Sequence, residues 1–290
     1  MKYILYHAFF LISLLPKRLL LLISRVFAFA LNSIAGYRKN VIEENLKQSF
    51  HDFSKSKIST LKNQYYKHFT EVVFEIIKSA SISKTDSQKA LTLGNKSLID
   101  DLFKKHDTII VSTAHTGNWE TPLTILPLLF KEKVYTLYKP LSNKTFDDLV
   151  FKIRSRFGLK LLPAKTSTKV LLKKENQKRL VVYIADQTPF PENAIWTDFL
   201  NRSTPFFKGP EKIGTKINCP IVYAESTKDG FYNFGFNFKL ITESPSSCKP
   251  DEITKIFANC LENQIKDNPV SWMWSHRRWK HKPKVVTGVN

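Results

Sequence analysis

Two side chains five residues apart, His115 and Glu120, are the strongest candidates for chemistry in this sequence. They lie in TIIVSTAHTGNWETPL (108–123), where an apolar run leads into a turn containing Gly117 and Asn118. Such a turn brings Glu120 back toward His115, and a carboxylate that holds the Nδ1–H of an imidazole leaves Nε2 free as a base. This pair predicts activation of a hydroxyl or water without a Ser or Cys nucleophile, and no G-x-S-x-G elbow supplies one. The structural alternative is a satisfied turn histidine followed by an acid in the first helical turn.

The elements that must position this pair read as an α/β fold. From Asp107 onward, short runs rich in Val, Ile and Tyr alternate with helical stretches, which predicts a largely parallel central sheet flanked by helices. The predicted strands are TIIVST, VYTLY, LKLLP, LVVYIA and PIVYAES, and the helices between them are 119–129, 143–157, 167–176 and 207–217. The run FYNFGFNFKLI (231–241) alternates aromatic with small or polar residues, as in a half-exposed edge strand. His115 then lies beyond the carboxyl end of a strand, where α/β sheets place their sites.

Helices are predicted on both sides of this region. Apolar residues recur every three or four positions over 56–79, which predicts an amphipathic helix capped by Ser54 or Ser56. A helix around 39–50 precedes it, and a last helix near 250–266 leads into a basic, aromatic tail. Because no repeat or low-complexity linker interrupts the chain, we expect a single domain over residues 36–290.

The first 35 residues predict a membrane anchor. Two apolar runs are separated by Pro16-Lys17-Arg18, and neither reaches the ~20 residues that a spanning helix needs. Joined, they carry two charges in mid-span, so two shorter helices that dip into or lie on one leaflet fit better. Two alternatives remain open. Ala28-Phe29-Ala30 resembles a signal-peptide cleavage site, and the runs also suit the first pair of core helices of a soluble protein.

The charge predicts anionic partners, and the cysteines predict a reduced compartment. With 45 Lys and Arg against 25 Asp and Glu, the formal charge is +20, which suits nucleic acid, an anionic lipid surface, a phosphorylated substrate or an acidic protein. The sequence has none of the usual nucleic-acid-binding signatures, so no nucleic-acid partner is expected. Cys219, Cys248 and Cys260 lack a C-x-x-C spacing, which argues against a disulfide framework and a zinc site. Residues 209–216 only approximate a phosphate loop, because Thr precedes Lys where the motif needs Lys first.

The block HTGNWE (115–120) resembles the H-x-x-x-x-D/E signature of glycerolipid-type acyltransferases, and its HxGNWE form is similar to the bacterial lipid A biosynthesis (late lauroyl/myristoyl) acyltransferase family. The resemblance continues along nearly the whole chain. It includes YRKNVIEENLKQSF (37–50), KPLSNKTFDDLVFKIRSRFG (139–158), Asp186-Gln187 after LVVYIA, the FF-x-G segment at 206–209 and PVSWMWSHRRWK (269–280). Lys208 and Pro210 depart from the family's usual pattern around Gly209, which leaves local substrate contacts open.

The resemblance implies an acyltransferase with a glycerolipid acyltransferase-like α/β fold. It implies transfer of an acyl chain from an acyl-carrier-protein or coenzyme A thioester to a hydroxyl of a lipid A precursor, with His115 as general base and Glu120 as its orienting partner. The predicted substrate contacts are Asn118, Arg154, Asp186, Arg277 and Arg278. No cofactor or metal is implied.

The resemblance also sets the expected location and partners. It predicts a protein of the bacterial inner membrane, in contact with membrane lipids, with its catalytic domain on the cytoplasmic side and an anionic glycolipid as acceptor. An acceptor of another class remains open: a lysophospholipid, an amino-acid lipid, a pigment or a phosphorylated mannoside.

Some of these residues have structural alternatives. Arg154 suits an ion pair with a carboxylate such as Asp186, and Arg277 and Arg278 suit a solvated tail. Trp272, Trp274 and Trp279 are typical of core or interfacial anchors rather than ligand contacts.

Overall fold

The computed structural model describes residues 2–173 and 175–283, with side chains from His7 onward. The helices are α1 (Lys2–Leu14), α2 (Lys17–Phe29), α3 (Lys39–Ser49), α4 (Lys55–Lys78), α5 (Lys84–Ala90), α6 (Lys96–Lys105), α7 (Glu120–Ile125), α8 (Lys144–Ser155), α9 (Ala164–Leu171), α10 (Gly209–Ile217) and α11 (Glu252–Asp267). The strands are β1 (Leu91–Gly94), β2 (Thr108–Thr113), β3 (Lys133–Tyr138), β4 (Lys160–Pro163), β5 (Arg179–Ile184), β6 (Ala194–Phe199), β7 (Arg202–Phe207), β8 (Ile221–Lys228) and β9 (Phe234–Thr242).

Seven strands form one sheet in the order β1-β9-β8-β2-β5-β3-β4. Strands β8, β2, β5, β3 and β4 run parallel, and β9 runs antiparallel to β8. The prediction of an α/β fold with a largely parallel sheet is therefore confirmed, as are its five parallel strands. The helix predicted over 167–176 is instead α9, and residue 174 of that prediction lies outside the described residues, as do 284–290 of the predicted domain.

Two parts of the strand prediction are wrong. Strand β9 alternates buried and exposed residues, as predicted, and its three phenylalanines, at 234, 236 and 238, are buried. It is not at the edge of the sheet, because the short strand β1 pairs with residues 234–237 on its outer side. Only four residues form β1, too few for a periodicity to identify. The hairpin β6–β7 was also missed. Its two-residue turn, Leu200-Asn201, has positive φ at both positions but contains no glycine, so the usual hairpin signal is absent.

The long helix α4 links the N-terminal helices to the sheet. It begins as predicted at a Ser54 cap, whose hydroxyl accepts a hydrogen bond from the Lys57 amide. One face carries buried Ile58, Tyr65 and Val72, so α4 forms part of the main core.

Helices α1 and α2 are separated at Pro16, as the sequence predicts. Along α2, Leu20, Ser24 and Ala28 are buried. The opposite side exposes an apolar stripe, here called the α2 stripe, with exposed fractions of 40% at Leu19, 59% at Leu22, 62% at Val26 and 65% at Phe29.

Within the described residues, no single helix is long and apolar enough to cross a membrane. One bent pair, Lys17–Ile34 with Lys39–Ser49 at 90°, meets the criterion of length and composition. The predicted membrane anchor and its boundary at residue 35 remain predictions.

Candidate active site

His115 and Asp186 emerge side by side from neighbouring strands. Thr113 at the end of β2 is in register with Ile184 at the end of β5, and each strand is followed by an alanine and then by the polar residue. Because the strands are parallel, both side chains lie at the same carboxyl edge of the sheet. The sequence prediction of a site at this edge therefore has a direct basis in the register.

The imidazole of His115 is held by Asp186. His115 Nδ1 lies 2.6 Å from Asp186 Oδ1, and the indole Nε1 of Trp272 donates to Oδ2 at 2.8 Å. Burial acts to raise the pKa of Asp186, but the charge of His115 and the hydrogen bonds from His115 and Trp272 outweigh it and lower the pKa to about 2. Asp186 is thus an anion that accepts a hydrogen bond from Nδ1–H and leaves Nε2 of His115 as the basic nitrogen.

The predicted pairing of Glu120 with His115 is wrong. Glu120 opens α7 as expected, but both of its carboxylate oxygens bind the Arg154 guanidinium on α8, with Arg154 Nη2 2.6 Å from Oε2. His115 Nδ1 already has a carboxylate partner in Asp186. The alternative that Arg154 pairs with a carboxylate is confirmed, but its partner is Glu120 and not Asp186.

The other ring nitrogen of His115 faces the groups that a substrate would meet. Gln187 Nε2 lies 3.1 Å from His115 Nε2, a geometry in which the amide donates to the basic nitrogen. The Trp119 ring lies beside the imidazole, with centroids 5.1 Å apart. The side chain of His115 is 14% exposed, so it is largely buried but still accessible from solvent.

The turn after His115 needs its glycine. Gly117 has φ +57°, and a Cβ there would lie 2.9 Å from the Ser226 carbonyl oxygen. Its amide donates to the Ser271 carbonyl at 3.0 Å, and its carbonyl lies 2.9 Å from Nε2 of His68. Burial lowers the pKa of His68 to about 4, so this buried histidine is neutral. The Met273 amide completes the fixation by donating to the His115 carbonyl at 3.1 Å.

Asn118 positions the turn, and its role as a substrate contact remains a prediction. It is fully buried, and its Oδ1 accepts from the amides of Glu120 and Thr121 at the start of α7. Its Nδ2 donates to Glu75 on α4 at 2.8 Å.

Glu75 is the centre of a buried network behind the turn. Besides the Asn118 amide, it accepts from the Tyr232 amide at 2.8 Å and lies 3.4 Å from Lys228 Nζ. Burial raises the pKa of Glu75 to about 7, and Lys228 with the two N–H donors limits that rise. The network ties the active-site turn to α4 and β8.

The basic, aromatic tail divides into buried and exposed residues. Trp272 and Trp274 are core residues, as predicted. Arg277 is exposed, which agrees with the solvated alternative. Arg278 is fully buried, so a solvated tail is the wrong description of that residue.

Sequence reasoning missed Gln187, His68 and Glu75 as parts of the site and gave Asp186 a substrate role. Asp186 carried a usable signal, because a polar residue directly after a strand adjacent to β2 must emerge beside His115. His68 and Glu75 lie on an amphipathic helix far away in sequence, and nothing local distinguishes them from other polar residues of α4. Among the described residues, no group of three or more His, Cys, Asp or Glu side chains is arranged to hold a metal ion.

Comparison with known proteins identifies the family of the chain. No curated protein matches the chain significantly. The family model for bacterial lipid A biosynthesis acyltransferases matches residues 1–281, and the match includes the N-terminal helices, the sheet and the tail that holds Asp186. The family indicates an acyltransferase of the lipid A type. A match over nearly the whole chain shows that this protein belongs to the bacterial lipid A biosynthesis acyltransferase family.

Proposed function

We propose that this protein is a membrane-associated O-acyltransferase that moves a fatty acyl chain from a thioester of acyl carrier protein or coenzyme A to a hydroxyl of a lipid A precursor. His115 is the general base, and Asp186 orients it. The observation that carries the proposal is the Asp186–His115–Gln187 arrangement at the carboxyl edge of the sheet.

The proposed reaction uses Nε2 of His115, the ring nitrogen that Asp186 does not bind. The acceptor hydroxyl replaces the Gln187 amide at His115 Nε2 and gives up its proton as its oxygen attacks the thioester carbonyl. The Asp186 carboxylate stabilises the imidazolium that forms. Collapse of the tetrahedral intermediate breaks the C–S bond, and His115 returns the proton to the departing thiolate, so the products are an ester and a free thiol.

Glu120 and Arg154 support this reaction indirectly, by holding the helices next to His115. Their ion pair joins the first turn of α7, directly after the His115 turn, to α8. The pair thereby holds the two helices that border the base. Two of the three guanidinium nitrogens of Arg154 are engaged by Glu120, and a substrate contact through the third remains part of the proposal.

The charge supports anionic substrates. Acyl carrier proteins are acidic and a lipid A precursor carries phosphates, so a chain with a formal charge of +20 attracts both. Exposed Arg277, beside the Asp186 edge in the fold, is available to such a partner.

Membrane association is supported by the α2 stripe. Four large apolar side chains face outward on a helix whose other face is packed, and Lys17, Arg18 and Arg25 around them are exposed. An apolar stripe with neighbouring cations suits the interface of an anionic leaflet. The cytoplasmic side of the inner membrane supplies such a leaflet together with both thioester donors.

The test is acyl transfer by the purified protein in detergent micelles. Acyl carrier protein or coenzyme A carries a defined acyl chain, a lipid A precursor is the acceptor, and mass spectrometry detects an acceptor heavier by one acyl group. His115→Ala is the control for background transfer. In a deletion strain, we expect a lipid A species that lacks one acyl chain. An unchanged lipid A profile with one altered lipid of another class would replace lipid A as the acceptor.

A further inference from the structure

Among the buried arginines that the structure describes, Arg278 is the one whose guanidinium has no hydrogen-bond partner at all. The residue is 0% exposed, and Nε, Nη1 and Nη2 are all buried without an acceptor among the described residues. An arginine side chain stays charged in proteins, and a buried charge without a partner opposes folding. A guanidinium in this position therefore needs an anion that the described chain does not provide.

The other buried or partly buried arginines in the described chain each have at least one acceptor, although Arg179 Nη1 and Arg202 Nε have none. Arg154 binds Glu120 through two nitrogens. Arg179 donates to the Thr108 hydroxyl and to the Leu171 carbonyl. Arg202 donates to the Asn45 carbonyl and the Ser49 hydroxyl. Against these, the complete lack of acceptors at Arg278 is specific to its position.

That position adjoins the catalytic base. The carbonyl of Arg278 accepts from the Thr188 hydroxyl at 2.9 Å, and Thr188 follows Asp186-Gln187 directly. Its guanidinium lies 4.6 Å from the centroid of the Phe206 ring, and a guanidinium over a ring face keeps its N–H groups available to an acceptor in its own plane. Burial lowers the pKa of Arg278 to about 9, and the nearby charge of Asp186 opposes this lowering.

Asp186 itself is not the missing partner. Its two oxygens accept from His115 and Trp272, and no hydrogen bond joins Asp186 to Arg278 in the described residues. The buried anion of Asp186 therefore attracts Arg278 from a distance while leaving every N–H of the guanidinium unused.

We propose that Arg278 binds a phosphate group of the acceptor lipid beside the His115–Asp186 pair. This inference rests on the proposed function for the identity of the substrates. A planar guanidinium binds phosphate through two parallel hydrogen bonds. The acceptor carries its phosphates on the glycolipid itself, whereas the donor's phosphate is separated from its thioester by the whole pantetheine arm. A cation beside the base therefore matches the acceptor's phosphate better than the donor's.

The first experiment measures binding without catalysis. Thermal unfolding of the full chain is followed with inorganic phosphate and with chloride at the same ionic strength. We expect phosphate to raise Tm of the wild type relative to chloride and to have no such effect on Arg278→Met. Lys280→Gln removes an exposed cation from the same tail and is the matched control, with a phosphate response like that of the wild type.

The sign of the stability change separates a binding role from a structural one. Without phosphate, Arg278→Met should unfold at the same or a higher temperature than the wild type, because an unpaired buried charge has been removed. A lower Tm for Arg278→Met would show that the guanidinium is satisfied within the protein and would overturn the proposal. A phosphate-induced shift that persists in Arg278→Met would also overturn it.

The second experiment identifies which substrate supplies the phosphate. With Arg278→Met, we expect KM for the phosphorylated acceptor to rise at least about tenfold while KM for the donor is unchanged. Arg278→Lys, which keeps the charge but loses the fork, should fall between the two. A rise in the donor's KM alone would overturn the assignment to the acceptor. If no acyl transfer occurs with any donor, the proposed function fails, whereas phosphate-dependent stabilisation still tests the anion site.

Discussion

Polar side chains at the carboxyl edge of the sheet are buried and paired, whereas apolar side chains on the N-terminal helices are exposed. At the edge, Asp186, Asn118 and Glu75 are buried and each makes two or more hydrogen bonds or ion pairs inside the protein. On α2, four large apolar side chains of the α2 stripe face outward without cover in the described chain. One region is polar and internally satisfied, and the other is apolar and open.

This contrast separates the two requirements of the proposed reaction. The base must be held in one tautomer and one orientation, which needs a preorganised polar shell. The lipid acceptor must be reached at an interface, which needs apolar surface that the fold leaves unused. Changes at the edge should therefore alter chemistry and stability, whereas changes on the α2 stripe should alter only where the protein resides.

The largest expected effect is at the base. His115→Ala and Asp186→Asn should each reduce kcat by about 10²–10⁴. The first variant removes the base, and the second removes the carboxylate that fixes the tautomer of His115 and stabilises its imidazolium. Initial rates of acyl transfer in detergent, with far-UV circular dichroism to check folding, measure both. Near-normal turnover by His115→Ala would contradict the mechanism.

A double-mutant cycle distinguishes Asp186 from Glu120 as the partner of the base. The double variant His115→Ala with Asp186→Asn should be no slower than the slower of the two single variants, because the two residues act as one unit. Glu120→Gln should instead add its own effect to Asp186→Asn, since Glu120 acts through Arg154. Additive losses for His115 with Asp186 would favour a different orienting group.

A smaller effect is expected on stability, through Glu75. The folded carboxyl group, with its pKa raised from 4.5 to about 7, binds its proton more tightly than the unfolded one. Its contribution to stability is therefore complete below pH 4.5 and is lost as the pH rises through 7, by up to about 3 kcal/mol. We expect the difference in unfolding free energy between wild type and Glu75→Gln to shift by this amount between pH 4.5 and 8 in denaturant titrations.

The control for this effect is Glu71→Gln, which disturbs the same lysine. Glu71 lies 2.6 Å from Lys228 Nζ but is partly exposed. We expect Glu71→Gln to reduce the pH slope without abolishing it, because the charge of Glu71 contributes to the raised pKa of Glu75 but burial is the main cause. An identical slope in Glu75→Gln and wild type would show that Glu75 is not the group responsible.

The next effect concerns the open region. Leu22→Glu with Val26→Glu places two charges on the α2 stripe and should weaken binding to anionic vesicles at least about tenfold, because each lost apolar contact contributes ~1.5–3 kcal/mol when buried. The kcat in detergent should stay near that of the wild type. Ile256→Glu on α11 changes an exposed apolar residue remote from α2 and should bind vesicles normally.

Salt gives a second criterion for the same region. Binding through the α2 stripe should persist at high ionic strength, because apolar contacts remain when charges are screened. Quantitative release of the full-length protein from membranes by salt alone would show that the α2 stripe is not inserted.

The smallest effect is expected in the salt dependence of the donor. Transfer from acyl carrier protein should decline more steeply than transfer from coenzyme A once the Debye length falls below ~8 Å, because steering of an acidic protein weakens first. Initial rates with both donors across a salt series, in micelles with a constant acceptor, provide the comparison. Parallel curves would indicate that the cations serve only the membrane and the acceptor.

Much of the fold is predictable because its signals are local. The five parallel strands and α4 with its Ser54 cap follow from periodicity and capping over short windows. The sequence also places His115 at the carboxyl edge of the sheet, because its position after a buried strand is a local feature. The wrong predictions are those that depend on pairing between residues far apart in sequence. Strand β1 pairs with β9 over a long separation, and β9 is interior only for that reason.

The partner of His115 shows the same limit. Spacing favours Glu120, since it is near in sequence, but strand order brings Asp186 closer in space. Arg154 on α8 then captures Glu120. A charge pair is decided by which groups the sheet order brings together, and that order is not encoded in any window of the sequence.

The position of the tail segment, 271–278, in the chain determines when His115 and Asp186 gain their support during protein synthesis. The ribosome produces α1 and α2 first, then His115 and Asp186, and only later the Trp272 indole and Met273 amide that fix them. At 5–20 residues per second, a nascent chain carries His115 and Asp186 for on the order of ten seconds before their support exists. Under the proposed function, the outward-facing helices are therefore made before the residues that fix His115 and Asp186, so the chain can meet lipid before its catalytic site is assembled.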